Sequence, residues 1–513
     1  MTTSEGHHWN PSTSLTSGLP TLSHHSSLPS TTSPSPASSA HSYDVIVIGA
    51  GYAGLIAARD LTARHHSVLL LEARDRIGGR TWTSEIDGFK YEMGGTWVHW
   101  KQPHVYAELS RYGMKDQLTP SQDYSSGINC FSWNAKSEKG EDVRSEMGQD
   151  KEEELYASAM TKFFEIDGQM GRRVMPFPHD PFSNRSEAEE WDKVSLADRL
   201  VQLRGQLTED EEIAMTSLAC HMSGGTVSNT GFFDLLRWWA LCDYKPEGVN
   251  EYGLALKLKC GQTGLAREIY ADAVETEFLS AKFEAPVTHI SESESDGVVT
   301  VTTASDAFKA RKVICTIPLN VLHETTFESA LPAGKVAASK TGHIDMAPKI
   351  HYEISGPELK SWSGMSWPGK GLLYAYGDSL TPAGNTHVVA FGAAETHLDQ
   401  SSIPDLRKAV QEILPGIESE YHVSADSIQR IVYHDWVKDP YARGAWCVFS
   451  TGFATKYLKI LQERHGNVIF AGADWADGWR GFIDGAVEQG MRAARVVDGE
   501  LRGKGKAANG VAT

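Results

Sequence analysis

The sequence predicts an α/β protein in which a parallel-sheet domain is interleaved with an α+β domain, and three features carry that expectation. The run from Tyr43 to Glu72 reads as strand, glycine-rich turn, helix, second strand and acid. Strand-like sequence returns at 285–318 and again at 466–474, with helical and strand-rich excursions between. A last helix is expected from Asp484 to Leu501.

In the first run, Val45 to Ile48 is apolar and β-rich, as in a strand buried on both faces, and Leu55, Ala58 and Leu61 share one side of the helix that follows. Gly49 permits the tight turn, Gly51 lets the backbone approach a pyrophosphate, and Gly54 lets helix and strand pack closely. The helix N-terminus adds N–H donors and positive potential. Glu72 closes the second strand, Ser67 to Leu71, where a carboxylate accepts both ribose hydroxyls of an adenosine and disfavours a 2′-phosphate. A glycine pattern alone is weak evidence in a chain with 47 glycines. Here strand, helix, second strand and acid follow in order, which predicts a Rossmann-type dinucleotide site.

Glu72-Ala-Arg74-Asp-Arg76-Ile-Gly78-Gly79-Arg80-Thr-Trp82 and Tyr91-Glu-Met-Gly94-Gly95-Thr96-Trp97 come next. Arg76 and Arg80 offer forks for phosphate, and the glycines allow close backbone approach to a flat ring. A solvated Arg-Gly loop is the plain alternative.

The 513 residues suffice for two or three cores, and 41% hydrophobic with 22% charged residues is ordinary for a globular protein. A net charge of −18 argues against sequence-independent binding to nucleic acid or to anionic membranes. It is compatible with steering cationic small molecules, and equally with plain solubility. Residues 1–42 are rich in Ser, Thr and Pro and are expected to form a disordered tail with no secretory or mitochondrial signal. Residues 502–513 are expected to be flexible and lack a Ser-Lys-Leu type peroxisomal end. No window approaches eighteen uninterrupted apolar residues, so no membrane span and a cytoplasmic location are expected. Cys130, Cys220, Cys242, Cys260, Cys315 and Cys447 form no C-x-x-C pair, which points to reduced thiols. The twenty histidines show no ligand spacing, and no metal is expected.

Between these anchors the expected organisation is a dinucleotide segment at 43–119, a helical segment at 120–252, a second dinucleotide segment at 253–330, a sheet segment at 331–440 and a third dinucleotide segment at 441–501. Thr208 to Glu211 is a capping box opening a helix that carries Ile213, Leu218 and Met222. Phe232, Phe233, Trp238 and Trp239 on the next helix suit either core or a substrate pocket. Ser295-Asp296-Gly297 suits a hairpin turn, and Lys349–Ile354, Leu372–Tyr376 and His387–Phe391 read as strands. Leu406, Val410 and Ile413 share a face of a helix over 405–413.

The Glu72–Arg80 run, Met93-Gly-Gly-Thr-Trp-Val-His-Trp100, Cys315-Thr-Ile-Pro-Leu-Asn-Val-Leu322, Thr381-Pro-Ala-Gly-Asn-Thr-His387 and Gly478-Trp-Arg-Gly-Phe-Ile-Asp-Gly-Ala486 together resemble the flavin monoamine oxidase family, most closely its soluble fungal type. The resemblance spans roughly Tyr43 to Glu500. It implies FAD, oxidation of a primary alkylamine or arylalkylamine to an imine, hydrolysis of the imine to aldehyde and ammonia, and reduction of O2 to H2O2. A homodimer is a further family expectation. Residue by residue, Trp446 and Phe482 match the family's two-aromatic cage, and Lys349 matches the lysine that holds a water at flavin N5. Val287 matches the adenine contact, and Asp474 stands where the family uses a carboxylate on a ribityl hydroxyl. Ile483 opens the helix aimed at the flavin pyrimidine. Arg74, Arg76, Gly79, Arg80, Gly95, Thr96 and Trp97 fall in the cofactor segments. The family's attachment cysteine falls on Ala445, which implies non-covalent FAD; Cys447 would share the face of Ala445 in a regular strand.

Such a site must take its amine neutral, because a protonated nitrogen has no lone pair to assist loss from the α-carbon, and an aromatic slot favours the neutral form by desolvation. Competing readings are a specialised amine or alkaloid oxidase, a polyamine oxidase helped by His99 and the acidic surface, and a flavin-binding scaffold without turnover. An L-amino-acid oxidase would need a second arginine shortly after Arg80, and Thr81-Trp82 supply none. A nicotinamide dehydrogenase would be colourless.

Overall fold

The run at Tyr43–Glu72 folds as its pattern dictates. In the computed structural model, which describes residues 1–32, 42–122, 125–136, 140, 142–416, 419 and 421–503, the strand Tyr43–Ile48 lies between two parallel neighbours, Val68–Leu71 and Ala307–Cys315. Val45, Ile46 and Val47 are fully buried, as expected of a strand covered on both faces. The helix Tyr52–Thr62 follows, and a methyl group on Gly54 would stand 1.9 Å from the Gly49 carbonyl oxygen, so only glycine lets helix and turn approach this closely.

An eight-stranded sheet grows from this centre. Leu279–Lys282 adds in parallel beside Val68–Leu71, and Val468–Phe470 pairs in parallel with Ala307–Cys315. The antiparallel strands Val299–Thr303 and Val287–Glu292 branch from the other end of Ala307–Cys315. The last helix, Ile483–Leu501, buries Val487, Ala494 and Val497 in the same core as Leu55, Ala58 and Leu61. Chain segments far apart in sequence thus meet in one layered α/β unit.

A second, nine-stranded sheet stands apart from the first and is antiparallel at every pairing but one. Lys349–Ile354 lies near its centre between Thr386–Phe391 and Ile428–Tyr433, and every residue of that strand is buried. The helix Glu209–Ser223 packs Ile213 and Ala214 against Phe131, Trp133 and Met365 of this sheet, and the helix Phe232–Leu241 follows. Both reciprocal bonds of the capping box form: Thr208 Oγ1 accepts from the Glu211 N–H, and the Glu211 carboxylate accepts from the Thr208 N–H.

Two expectations are corrected here. The segment 120–252 is not purely helical, because Cys130–Lys136 and Asp142–Gly148 form a hairpin that ends the second sheet. Nor are residues 2–32 a tail. Thr2–Trp9 and Thr16–Pro20 form a hairpin on the opposite edge, with His7, His8 and Trp9 paired to Tyr433, Val432 and Ile431. The remainder of the expected tail, 33–41, and most of the expected C-terminal one, 504–513, lie outside the described residues.

What orders the N-terminal hairpin is charge. Its register shifts between Thr3 and His7, and in that irregularity Glu5 turns toward the loop after Glu72. There it pairs with Arg74 and with Arg76, whose Nε donates to Glu5 Oε2 at 2.7 Å. Thr3 Oγ1 donates to Asp75 at 2.6 Å, and the Ile77 N–H donates to the Ser23 carbonyl at 3.0 Å. Composition described this stretch as polar, and it could not show that the buried Arg76 guanidinium takes its carboxylate partner from Glu5.

Burial opposes the Glu5 carboxylate, but Arg76 and Arg74 outweigh it and hold its pKa below the ordinary glutamate value. Glu5→Gln should therefore lower stability by about 3 kcal/mol, since it leaves the buried Arg76 short of a counter-charge. A carboxylate whose folded pKa is depressed stabilises above its unfolded pKa of about 4.3 and loses that contribution on acidification. Urea melts at neutral pH should show the full gap between wild type and E5Q, and the gap should close as pH falls below that value.

Candidate active site

Both sheets contribute to one cavity of about 470 Å³. At one end its wall is the dinucleotide fold: Gly49, Gly51, Glu72, Gly79, Val287 and the first turn of the helix Tyr52–Thr62. The Glu72 carboxylate accepts from the Ala50 N–H at 2.5 Å and from the Arg74 N–H at 2.9 Å. Burial raises its pKa, so further donors at this carboxylate, such as ribose hydroxyls, would favour its charged form. Neither Tyr52–Thr62 nor Ile483–Leu501 has a side-chain cap at its N-terminus, and both begin in the cavity wall. Unused N–H groups and the positive ends of two helices are therefore turned toward one space.

The arginines play a different part from the one their spacing suggests. Arg76 does not line the cavity; it stacks 4.6 Å over Trp82 and is committed to Glu5 and to the Ile77 and Gly79 carbonyls. Arg74 does line it, but its fork is held by Asp439 at 2.7 and 2.9 Å and by Glu5. Arg80 donates to Asp474 at 2.6 Å and to the Ala445 carbonyl at 3.0 Å. Asp474 accepts the Leu319 N–H with its other oxygen and lies directly behind the lining residue Ala473. These guanidinium groups brace the wall and leave helix termini and backbone to meet phosphate. Glu5, His434 and Asp439 bring ligand-type atoms within 4.8 Å of one another, but Arg74 pairs with both of the acids.

At the other end the lining turns aromatic. Trp97, Trp238, Phe391, Trp446 and Phe482 face the cavity with His221, Met222, Leu254 and Lys349. Trp446 is fixed at two points, its backbone N–H on Asp345 and its indole N–H on the Met222 carbonyl at 2.9 Å. It meets Phe391 edge-on at 6.4 Å, while Phe482 packs against Trp238 and Trp479, each at 4.9 Å. Of the four aromatics weighed as core or pocket, Trp238 lines the cavity and Phe232, Phe233 and Trp239 are core.

Lys349 starts a central strand, and its side chain crosses to the other domain. Its Nζ donates to the carbonyls of Glu92 and Gly94 at 2.8 and 2.9 Å and to Thr96 Oγ1 at 2.6 Å. Burial pushes the ammonium down to about 7, against the pull of the Glu92 and Asp378 carboxylates. Behind it His351 bonds the Glu92 carbonyl and His387, and His387 bonds Asp378 at 3.0 Å. These bonds fix the backbone that Lys349 reads.

A sequence model of flavin containing amine oxidoreductases matches residues 52–498. The chain belongs to this family of flavin amine oxidoreductases. Among its relatives, a pseudooxynicotine dehydrogenase of Pseudomonas sp is 29% identical over 464 residues, covering 90% of this chain and 87% of the relative. A nicotine dehydrogenase of Pseudomonas putida is 30% identical over 473 residues, covering 89% and 88%. The fold matches a putrescine oxidase bound to putrescine with a TM-score of 0.69 at 22% identity, over 89% of this chain and 98% of that one.

FAD is the cofactor of this flavin oxidoreductase, and the wall fits it. A methyl group added to Gly51 would meet nothing nearer than Gly79 Cα at 3.9 Å, and the φ of Gly51 is an ordinary −73°. The protein itself has no need of glycine there; the space suits a ligand phosphate. Cys447 does not share the face of Ala445. Ala445 lines the cavity, whereas the Cys447 thiol is fully buried, its pKa raised by burial, and packs near the Asp474 carbonyl. The backbone at 444–447 is not a strand, so the alternation assumed from spacing fails. His99 is likewise outside the cavity, its ring tilted against Trp100 at 3.9 Å.

Sequence reasoning missed Glu5, Glu92, His221 and Phe391. Phe391 had a visible signal in its apolar strand, while Glu5 had none short of its distant partners. Gly51→Val should fold with normal stability yet purify with little flavin, measured as the ratio of visible to ultraviolet absorbance. A normal flavin content in this variant would place the dinucleotide elsewhere.

Proposed function

We propose that the chain oxidises monoamines, primary arylalkylamines first among them, to imines that water converts to aldehyde and ammonia, with O2 taking up the electrons as H2O2. The observation that carries this reading is the lining of the aromatic end, which holds rings and Lys349 but no carboxylate among the described residues. The two acids of the lining are Glu72 and Glu324. Glu324 pairs with Arg443 on the segment leading into Thr326–Phe327, which is joined to the strand that begins at Val287. A diamine would bury its second ammonium with no counter-charge, at a cost of several kcal/mol. The carboxylate of an amino acid would need a free cation, and Arg74 and Arg80 are already paired.

When bound, FAD supplies the ring that accepts a hydride equivalent from the substrate. Trp446 and Phe482, both in the lining, exclude water and orient the amine. Their apolar faces favour its neutral form, leaving the nitrogen lone pair available. Lys349, held by its oxygen acceptors, presents a group that can bear a proton or lose it near neutral pH. The burial of Cys447 supports non-covalent FAD. A second reading comes from the nicotine-related names of the relatives: cyclic amines with a pyridine ring, and an electron acceptor other than O2, as the word dehydrogenase implies.

Anaerobic mixing tests the proposal. Phenethylamine, benzylamine and butylamine should bleach the visible flavin band within seconds, while putrescine and L-phenylalanine leave it unchanged. Bleaching by putrescine alone would overturn the single-charge reading, and bleaching by nicotine alone would favour the second one. In air, each bleached sample should recover its colour with release of H2O2.

The neutral-amine requirement sets a sign for pH. Between pH 7 and 9 the neutral fraction of an alkylamine with a pKa near that of lysine, about 10.4, grows nearly tenfold per unit. kcat/KM for phenethylamine should rise across that range, and a flat profile would contradict selection of the neutral form.

A further inference from the structure

His221 presents an imidazole to the cavity that no described residue uses. It sits in the last turn of the helix Glu209–Ser223, with its ring stacked on Tyr374 at 5.2 Å and lying 5.2 Å from Phe391. Phe391 in turn stands 5.8 Å from the Lys349 ammonium and 6.4 Å from the Trp446 ring. His221 is therefore one ring removed from the residues placed around the amine. Other imidazoles with unpaired nitrogens, such as those of His343 and His99, stand outside the cavity, and His221 is the histidine of the lining among the described residues. No described residue makes a hydrogen bond to either nitrogen of His221.

A packing role explains this poorly. Beside Tyr374, Phe391 and Met222 a leucine or phenylalanine would fill the wall without burying a polar group unpaired. A favourable charge at the helix C-terminus is also lost, because burial pushes the ring down to about 4 and leaves it neutral. What a neutral imidazole retains is one donor and one acceptor, aimed into an otherwise apolar space.

Resting on the amine-oxidase reading above, we propose that His221 is a specificity residue that hydrogen-bonds a phenolic hydroxyl at the end of the substrate remote from the amine, so that hydroxyphenylalkylamines are the preferred substrate class. The hydroxyl donates to one ring nitrogen or accepts from the other, and no charge is needed on either side. Sites built around such a bond discriminate against analogues that lack the group, because the protein's own polar atom is then left unpaired.

The test is a ratio. kcat/KM should favour 3- or 4-hydroxyphenethylamine over phenethylamine by about tenfold or more in the wild type, the factor that one hydrogen bond in a desolvated site supports. In His221→Phe the ratio should collapse toward one, and His221→Gln, which keeps a donor and an acceptor, should restore part of it. Flavin content and circular dichroism verify that both variants are folded. Independently of turnover, 4-ethylphenol should perturb the flavin spectrum at lower concentration than ethylbenzene, and His221→Phe should abolish the difference. An unchanged ratio in His221→Phe, or a wild type without preference in either assay, overturns the proposal. If no amine bleaches the flavin but the phenol preference persists and depends on His221, the oxidase reading fails and the phenolic contact stands.

Discussion

Two turns meet backbone to backbone at the centre of this molecule, and the rest is arranged to keep them there. Gly51 bridges to Gly78, and a methyl group on Gly79 would come within 3.2 Å of Gly51 Cα. Any larger residue at position 79 would push the turns apart, while the space left at Gly51 is claimed by nothing in the chain. Holding the second turn in place takes Arg74, Arg76 and Arg80, each locked to an acid or carbonyl from a different part of the sequence. A loop rich in guanidinium groups thereby becomes a rigid wall with its charge spent, and the anion-binding power of the site passes to two helix N-termini.

The same economy of charge governs the other end of the cavity. Lys349 is its central cation, and three oxygen acceptors supplied by the Glu92–Thr96 segment surround that nitrogen. Beyond it come rings and a neutral imidazole. Such a surface selects by shape, desolvation and single hydrogen bonds, and a second formal charge on the ligand finds nothing to offset its dehydration. Because Lys349 and His351 stand on the second sheet and both bond to the first domain's Glu92–Thr96 segment, they hold substrate wall and cofactor wall in register.

Much of this was legible in the residues. The lead strand with its helix, the capping box at Thr208 and the strand at Lys349 follow from local pattern, since burial on both faces and reciprocal end bonds leave strong marks. Lys349, Trp446 and Phe482, which the family motifs singled out, line one cavity. What escaped depends on distant partners. The hairpin at Thr2–Pro20 is built of residues that favour coil, and only its pairing to Tyr433 and the ion pairs of Glu5 order it. The edge strand Asp142–Gly148 is largely exposed and shows no apolar alternation. The Asp474 carboxylate is shared between Arg80 and the Leu319 N–H, and motif register alone is blind to those partners.

The most direct test is a crystal structure of the purified protein grown with 4-hydroxyphenethylamine under anaerobic conditions. Density for the flavin nucleotide should run from Glu72 past Gly51 and end beside Lys349, with the amine between Trp446 and Phe482 and the phenolic oxygen within hydrogen-bond distance of His221. A flavin seated elsewhere, or an amine anchored by a carboxylate outside this cavity, would contradict the account.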